Sequence, residues 1–332
     1  MNSDLKSIKT PDRFPKGIIY GSAFKLMGTP LSFCGSKKPD LYFCSHMDEK
    51  IPLNAKRVLG NSLTLTAVNS KNKNQDILAL DYERTFSFGR MDLKLLPAGL
   101  SPGSSMLEIK FNDMTIIYCN ALRLANPIAG EKASKINCDI LLLDTPITEY
   151  QLQAPVTVKT QLLKWVNESL EQNQTCSIVC SNKSDAFNTV SALFSSDIPV
   201  YAHKSIYEML RDTGYLALNS ASIEKLNPKK WPENGAIILP FKAWNSTPKF
   251  LNKSGSACAV GEKENKNKID KQFVFGNRES LKVLIAFARS TGTKAVALGS
   301  AYTTEHATMF RKAGFTVYYS KKPVQLALPL IQ

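Results

Sequence analysis

The chain has 332 residues, 43% of them hydrophobic and 21% charged. These are values of a chain with an ordinary core, long enough for two domains or one domain with a large insertion. Forty-two Lys and Arg against 28 Asp and Glu give a net charge of +14 and a pI near 9.4, which favours polyanionic partners such as nucleic acid or an acidic surface. No apolar run reaches membrane-spanning length, and Met1 to Arg13 carries no secretory apolar core. The seven cysteines are scattered without a Cys-x-x-Cys pair, as expected of reduced thiols in a cytoplasmic protein with no membrane partner.

The first half reads as short strands broken by Gly, Pro, Asn and Ser: 17–20, 41–44, 63–68, 78–81, 93–96, 106–111 and 115–119. Asn112-Asp113 suggests a hairpin between the last two. From Cys138 the rhythm changes. A continuous apolar strand, 138–144, precedes a helix with Val158, Leu162, Trp165, Val166 and Leu170 on one face. Strands at 176–180, 198–202, 236–240, 272–275, 294–298 and 315–319 then alternate with helices near 186–194, 205–213, 281–288 and 303–313. Gly292 and Gly314 sit where helix C-caps are expected. Strand and helix in repeated alternation imply a largely parallel sheet covered by helices.

Residues 43–50, Phe-Cys-Ser-His-Met-Asp-Glu-Lys, follow an apolar strand and set four ligand-capable side chains close together: Cys44, His46, Asp48 and Glu49. Leu96 to Ser104 reads Leu-Pro-Ala-Gly-Leu-Ser-Pro-Gly-Ser, and Ile116 to Ala121 is a strand ending in Cys-Asn-Ala. Cys138 to Pro146 is a Cys-Asp strand ending in Asp144, and Ile269 to Phe275 reads Ile-Asp-Lys-Gln-Phe-Val-Phe. In this order and spacing the segments resemble the metallo-β-lactamase-fold nucleases that carry a β-CASP insertion. The likeness is nearest to the bacterial DNA-ligase-associated exonucleases, related to messenger-RNA 3′-end processing factors, and runs from about Lys16 to about Leu328. It implies an α/β fold, a metallo-β-lactamase αββα sandwich with an inserted β-CASP α/β lobe. The sandwich would be built from 1–155 and completed by 269–332, with the lobe at 156–268.

Where that family's metal loop reads His-x-His-x-Asp-His, this chain keeps His46 and Asp48 and has Cys44 and Glu49 at the outer positions. The resemblance places Leu100, Ala121, Arg278 and Gly299 at the remaining ligand positions and leaves Asp144 as the supporting acid. Two-metal hydrolysis needs a nearly complete ligand set to hold a hydroxide and clamp both oxygens. Leucine and alanine donate nothing, and an arginine repels a nearby dication. The expectation is a catalytically inactive homologue, a pseudoenzyme with vestigial His46, Asp48 and Asp144 and no cofactor. One alternative is a metal-dependent DNA or RNA nuclease with a remodelled mononuclear site on Cys44, His46, Asp48 and Glu49, holding zinc or manganese. Another is a structural subunit docking an acidic protein.

Pro228 to Lys271 holds nine lysines against four acids. Lys263, Lys266, Lys268, Lys271 and Arg278 are the candidate phosphate track for DNA or RNA. Basic and aromatic residues interleave at Lys229-Lys230-Trp231 and Phe241-Lys242-Ala243-Trp244, which leaves Trp244 either stacking on a base or buried in the lobe's core. The resemblance also offers a DNA ligase, a helicase or an active nuclease as protein partner.

Overall fold

A computed structural model of the chain describes residues 17–20, 24–33, 39–68, 75–111, 113–149, 152–194, 196–218, 223–246, 255–262, 269–276, 278–322 and 324–327. Among these, short strands gather into two seven-stranded sheets and one six-stranded sheet of a mixed α/β fold. The first sheet takes β1 (Gly17–Tyr20), β2 (Lys25–Met27), β3 (Leu31–Ser32), β4 (Leu41–Cys44), β5 (Arg57–Asn61) and β6 (Asp76–Leu80) in chain order, with the last strand, β22 (Val324–Ala327), beside β1. The second runs β21-β20-β11-β10-β9-β8-β7. Its members are β7 (Thr85–Phe88), β8 (Met91–Pro97), β9 (Ser105–Phe111), β10 (Met114–Cys119), β11 (Ile140–Leu143), β20 (Ala295–Leu298) and β21 (Thr316–Tyr318). Strands β9 and β10 form the hairpin, with Phe111 opposite Met114.

Side-chain alternation in β10 and β11 explains the layering. Ile116, Tyr118, Ile140 and Leu142 point into a core shared with Phe43 and Leu59 of the first sheet and with Phe24 and Phe33, which flank β2 and β3, where the Tyr118 ring meets Phe24, Phe33 and Phe43. Their neighbours Ile117, Cys119, Leu141 and Leu143 face the other way, onto α7 (Leu281–Ser290) and α8 (Thr304–Lys312). Strands covered on both faces read as continuous apolar runs rather than alternating ones, as these do. On the far side of the first sheet, Tyr42, Cys44 and Val58 pack with Leu65 of α1 (Ser62–Val68). The sequence rhythm Leu-Thr-Leu-Thr predicts a strand over 63–68, and the segment is this helix instead. Asn61 Oδ1 accepts from Leu63 N at 3.0 Å, an N-terminal cap that outweighs the β-branched threonines. Gly292 and Gly314 have φ of 69° and 99° just past α7 and α8, the left-handed conformation that ends a helix.

The third sheet is parallel throughout, in the order β15-β14-β16-β13-β17-β18. It comprises β13 (Cys176–Cys180), β14 (Val200–Ala202), β15 (Ile223–Lys225), β16 (Ala236–Pro240), β17 (Ser256–Val260) and β18 (Lys271–Phe273). Helices α2 (Pro155–Glu171), α3 (Lys183–Leu193) and α4 (Lys204–Asp212), with the short α5 (Tyr215–Leu218), cover one face. Helix α6 (Phe241–Ser246) covers the other.

The chain leaves the paired sheets through β12 (Ile147–Thr148) and returns through β19 (Glu279–Ser280), and these two strands pair in parallel. A buried ion pair sits at this stem: Arg123 Nη1 lies 3.1 Å from Glu279 Oε1, which also accepts from Leu124 N at 2.8 Å. Arg123 Nη2 donates to Gln153 O. No helix among the described residues is long and apolar enough to cross a membrane.

Candidate functional site

Cys44 ends β4, and His46, Asp48 and Glu49 follow it in the loop, but their side chains diverge. Cys44 Sγ lies 3.6 Å from His46 O. Glu49 turns back into the fold, accepting from the Tyr42 hydroxyl and from Ser45 N and Oγ at 2.8 and 2.7 Å. His46 Nδ1 lies 2.9 Å from Ser45 Oγ and 3.7 Å from Glu49 Oε2. Asn120 Nδ2 donates to the same Ser45 hydroxyl at 3.2 Å, tying the loop to the end of β10.

Asp48 points elsewhere, at the start of α3. Its Oδ1 accepts from Lys183 N at 2.7 Å, and both carboxylate oxygens lie within 3.4 Å of Ser184 N. A helix begins with N–H groups that lack intrahelical partners and with a partial positive charge, so a carboxylate from another segment satisfies both needs. Asn182 completes the cap by accepting from Asp185 N at 2.7 Å. Lys183 Nζ donates to Ala67 O at 2.7 Å, at the C-terminal end of α1. Burial lowers the Lys183 pKa, while Asp48 and Cys44 oppose that shift. Ser184 Oγ donates to Ser101 Oγ at 3.2 Å. Neither Lys183 nor Ser184 emerges from the sequence analysis, although Asn182 ahead of Asp185 is a readable cap signal.

The other positions hold no ligand. Leu100 and Ala121 are buried and apolar. Arg278 is drawn to Glu262, with Nε 3.0 Å from Oε2, beside a cavity of about 130 Å³ that Asn182 and Asp185 also line. Gly299 packs so closely on Asp144 that a Cβ there would lie 1.9 Å from Oδ1. The histidine of the family pattern therefore has no room without displacing Asp144. Among the described residues, no three His, Cys, Asp or Glu side chains come together to hold a metal ion. The donor set does not fit one either, since Asp48 is spent on α3 and Glu49 on Tyr42 and Ser45.

Asp144 is partly buried and accepts from the Tyr118 hydroxyl at 3.2 Å. Burial pushes its pKa up to about 6 from 3.8; Tyr118 counters this, Glu49 adds to it, and the Ser300 backbone counters it again. Burial also raises the Tyr302 phenol, with Asp144 adding to the shift. A folded-state pKa above the unfolded one means that the folded chain holds this proton more tightly. The associated stability is fully present below about pH 4 and is lost as pH rises through about 6. The difference of about two pH units corresponds to up to about 3 kcal/mol. Asp144→Asn is expected to stabilise the protein by that order at pH 8 and to change little at pH 4. Urea unfolding at the two pH values checks this, and equal effects at both would contradict it.

Of the candidate phosphate track, Lys263, Lys266 and Lys268 lie outside the described residues. Lys271 is exposed, with Nζ 5.5 Å from the centre of the Phe273 ring. Trp244 is 1% exposed, packed with Val179, Leu226, Ile237 and Leu239. Of the two readings of Trp244, burial is the one the structure has, and its place among the candidate nucleic-acid-binding residues is corrected: a ring sealed in a core offers no face to a base. His203 caps α4, accepting from Ser205 N at 3.3 Å, and His306 shares a capping box with Thr303.

No protein-family model matches the chain, and no curated protein matches it. In fold it is similar to a crystal structure described as a protein of unknown function from Enterococcus faecalis V583. The TM-score is 0.62 at 10% sequence identity, with 94% of this chain and 99% of that chain covered. At that identity the likeness shows the fold alone.

Proposed function

We propose that the chain is a catalytically inactive protein of metallo-β-lactamase and β-CASP architecture that binds nucleic acid. In this reading 1–155 and 269–332 form the αββα sandwich and 156–268 the inserted lobe. The helix, sheet, sheet, helix layering and the separate parallel sheet between β13 and β18 support it. The observation that carries the loss of catalysis is the Asp48 carboxylate, a retained ligand of the family pattern, satisfying the first amides of α3. The net charge of +14 supports a polyanionic partner.

The purified protein is expected to cleave neither single- nor double-stranded DNA or RNA with zinc or manganese. It is expected to bind single-stranded oligonucleotides without metal, with affinity falling steeply in salt. Contact with about four phosphates gives a log–log salt slope of about −3. Lys271→Ala and Arg278→Ala together should flatten the slope while leaving stability nearly unchanged, because exposed charges contribute little to it. Metal-dependent cleavage that disappears in Asp48→Ala would overturn the reading in favour of a remodelled nuclease. Absence of oligonucleotide binding at low salt would favour docking to an acidic protein.

A further inference from the structure

In the parallel sheet, β14 and β16 are neighbours whose onward connections diverge. The chain passes from β14 through α4 and α5 on one face to β15, at the edge of the sheet. From β16 it passes through α6 on the other face to β17, beyond β13. Adjacent parallel strands with connections leaving in opposite directions open a crevice at their carboxyl ends, and in open α/β sheets ligands bind there. This chain has a cavity of about 520 Å³ at that point, lined by Ser205 and Ile206 after β14 and by Pro240 and Phe241 after β16, with Cys180 and Ser181 of the neighbouring β13 segment. The volume is that of a small-molecule site.

The lining has two parts. Ile206 and Met209 of α4 and Phe241, which also packs on the cluster beneath α6, are the apolar part of the lining, while Lys183 and Lys242 are its basic residues. Two acids also face the cavity, and both are paired. Glu208 Oε1 lies 3.4 Å from Lys225 Nζ and 3.9 Å from Lys204 Nζ, and Asp212 Oδ1 lies 2.7 Å from Arg211 Nη2. Lys183 Nζ hydrogen-bonds only neutral carbonyls, with Asp48 acting on it at longer range, and Lys242 has no ion-pair partner among the described residues. The charge left over for a ligand is therefore positive. The first amides of α3 are already taken by Asn182 and Asp48, so the side chains of Lys183 and Lys242 are the groups that meet an anion. A planar apolar ring carrying an anionic group matches this lining.

We propose that the cavity between the ends of β14 and β16 binds a nucleotide, its base against Phe241 and its phosphate toward Lys242 and Lys183. This deepens the nucleic-acid reading and rests on it for the strand-borne form of the ligand. The nucleotide comes either free or as an unstacked residue of a single strand.

The test is calorimetric titration of the full chain with AMP, UMP and a single-stranded decamer, repeated on Phe241→Ala, Lys242→Ala and Ser205→Trp. Ser205 is exposed at the cavity's edge, so a tryptophan there obstructs the cavity without entering the core. Phe241→Ala is expected to weaken binding about 5- to 150-fold, the range of a lost base–aromatic stack. Lys242→Ala should weaken it and reduce its salt dependence, and Ser205→Trp should abolish it. Mononucleotide binding with these sensitivities identifies a free-nucleotide site, and decamer binding alone with the same sensitivities identifies a strand-borne one. Decamer binding indifferent to Phe241→Ala and Ser205→Trp, without mononucleotide binding, overturns the cavity assignment and leaves the nucleic-acid reading standing. Mononucleotide binding without decamer binding keeps the cavity and overturns that reading. Binding of neither overturns both.

Discussion

Glu279→Ala is expected to destabilise the protein by about 3–5 kcal/mol, measured as a fall in the urea midpoint. The two side chains of the Arg123–Glu279 pair are 7% and 5% exposed, so removing the carboxylate leaves a guanidinium away from water with no counter-charge. The same substitution strips Leu124 N of its acceptor, a loss of about 1–3 kcal/mol in itself when the donor stays buried. Glu279→Gln keeps an acceptor for Leu124 and a dipole for Arg123, so its loss should be smaller. Arg123→Met with Glu279→Leu removes both charges and should recover part of the loss, short of full recovery because Leu124 N remains unpaired. A loss below about 1 kcal/mol for Glu279→Ala would mean that the pair is solvated and worth no more than a surface ion pair.

Trp244→Ala has a comparable expected cost, about 3–5 kcal/mol, because it empties a large volume in a packed cluster. The ring is 1% exposed and sits between α6 and the β16 and β13 strands. Its effect on oligonucleotide affinity separates packing from stacking. Trp244→Phe, which keeps most of the volume and seats α6, should bind an oligonucleotide as tightly as the parent chain. A Trp244→Phe protein that folds normally but loses affinity would return this residue to the binding surface.

The elements most legible in the sequence are those buried on both faces or ended by strong punctuation. The run 176–180 coincides with β13, 236–240 with β16 and 17–20 with β1, and the last two helices end at glycines of positive φ. The misses share a cause. Ser256–Val260 is a buried central strand made of small residues next to a lysine-rich segment, so neither β-branched enrichment nor alternation marks it. The 63–68 segment carries a strand rhythm and becomes a helix through its cap and its packing, a tertiary override of propensity. In the candidate site, the absence of histidine at positions 100 and 299 is plain from the sequence, but the capping of α3 by Asp48 is not. Its partner Lys183 lies 135 residues away, and no local pattern announces a cap supplied across that distance. Trp244 shows the converse: a basic and aromatic run reads alike whether its ring faces solvent or core, and only burial separates the two.

The strand order also dictates a timetable for biosynthesis. Strand β11 has its parallel neighbour β20 on one edge, and β1 pairs with β22, the last described strand. The roughly 150 residues between Leu143 and Ala295 take about 8 to 30 seconds to translate at ordinary elongation rates. Throughout that interval β11 offers a bare edge of backbone donors and acceptors flanked by Ile140, Leu141, Leu142 and Leu143, the kind of edge that recruits foreign strands. The parallel sheet of 176–273 needs nothing from downstream to close and can fold while the sandwich waits. Emergence of β20 and β22, rather than of the first 150 residues, is thus the event that completes the two seven-stranded sheets, and truncation before Ala295 should leave β11 with a bare, aggregation-prone edge.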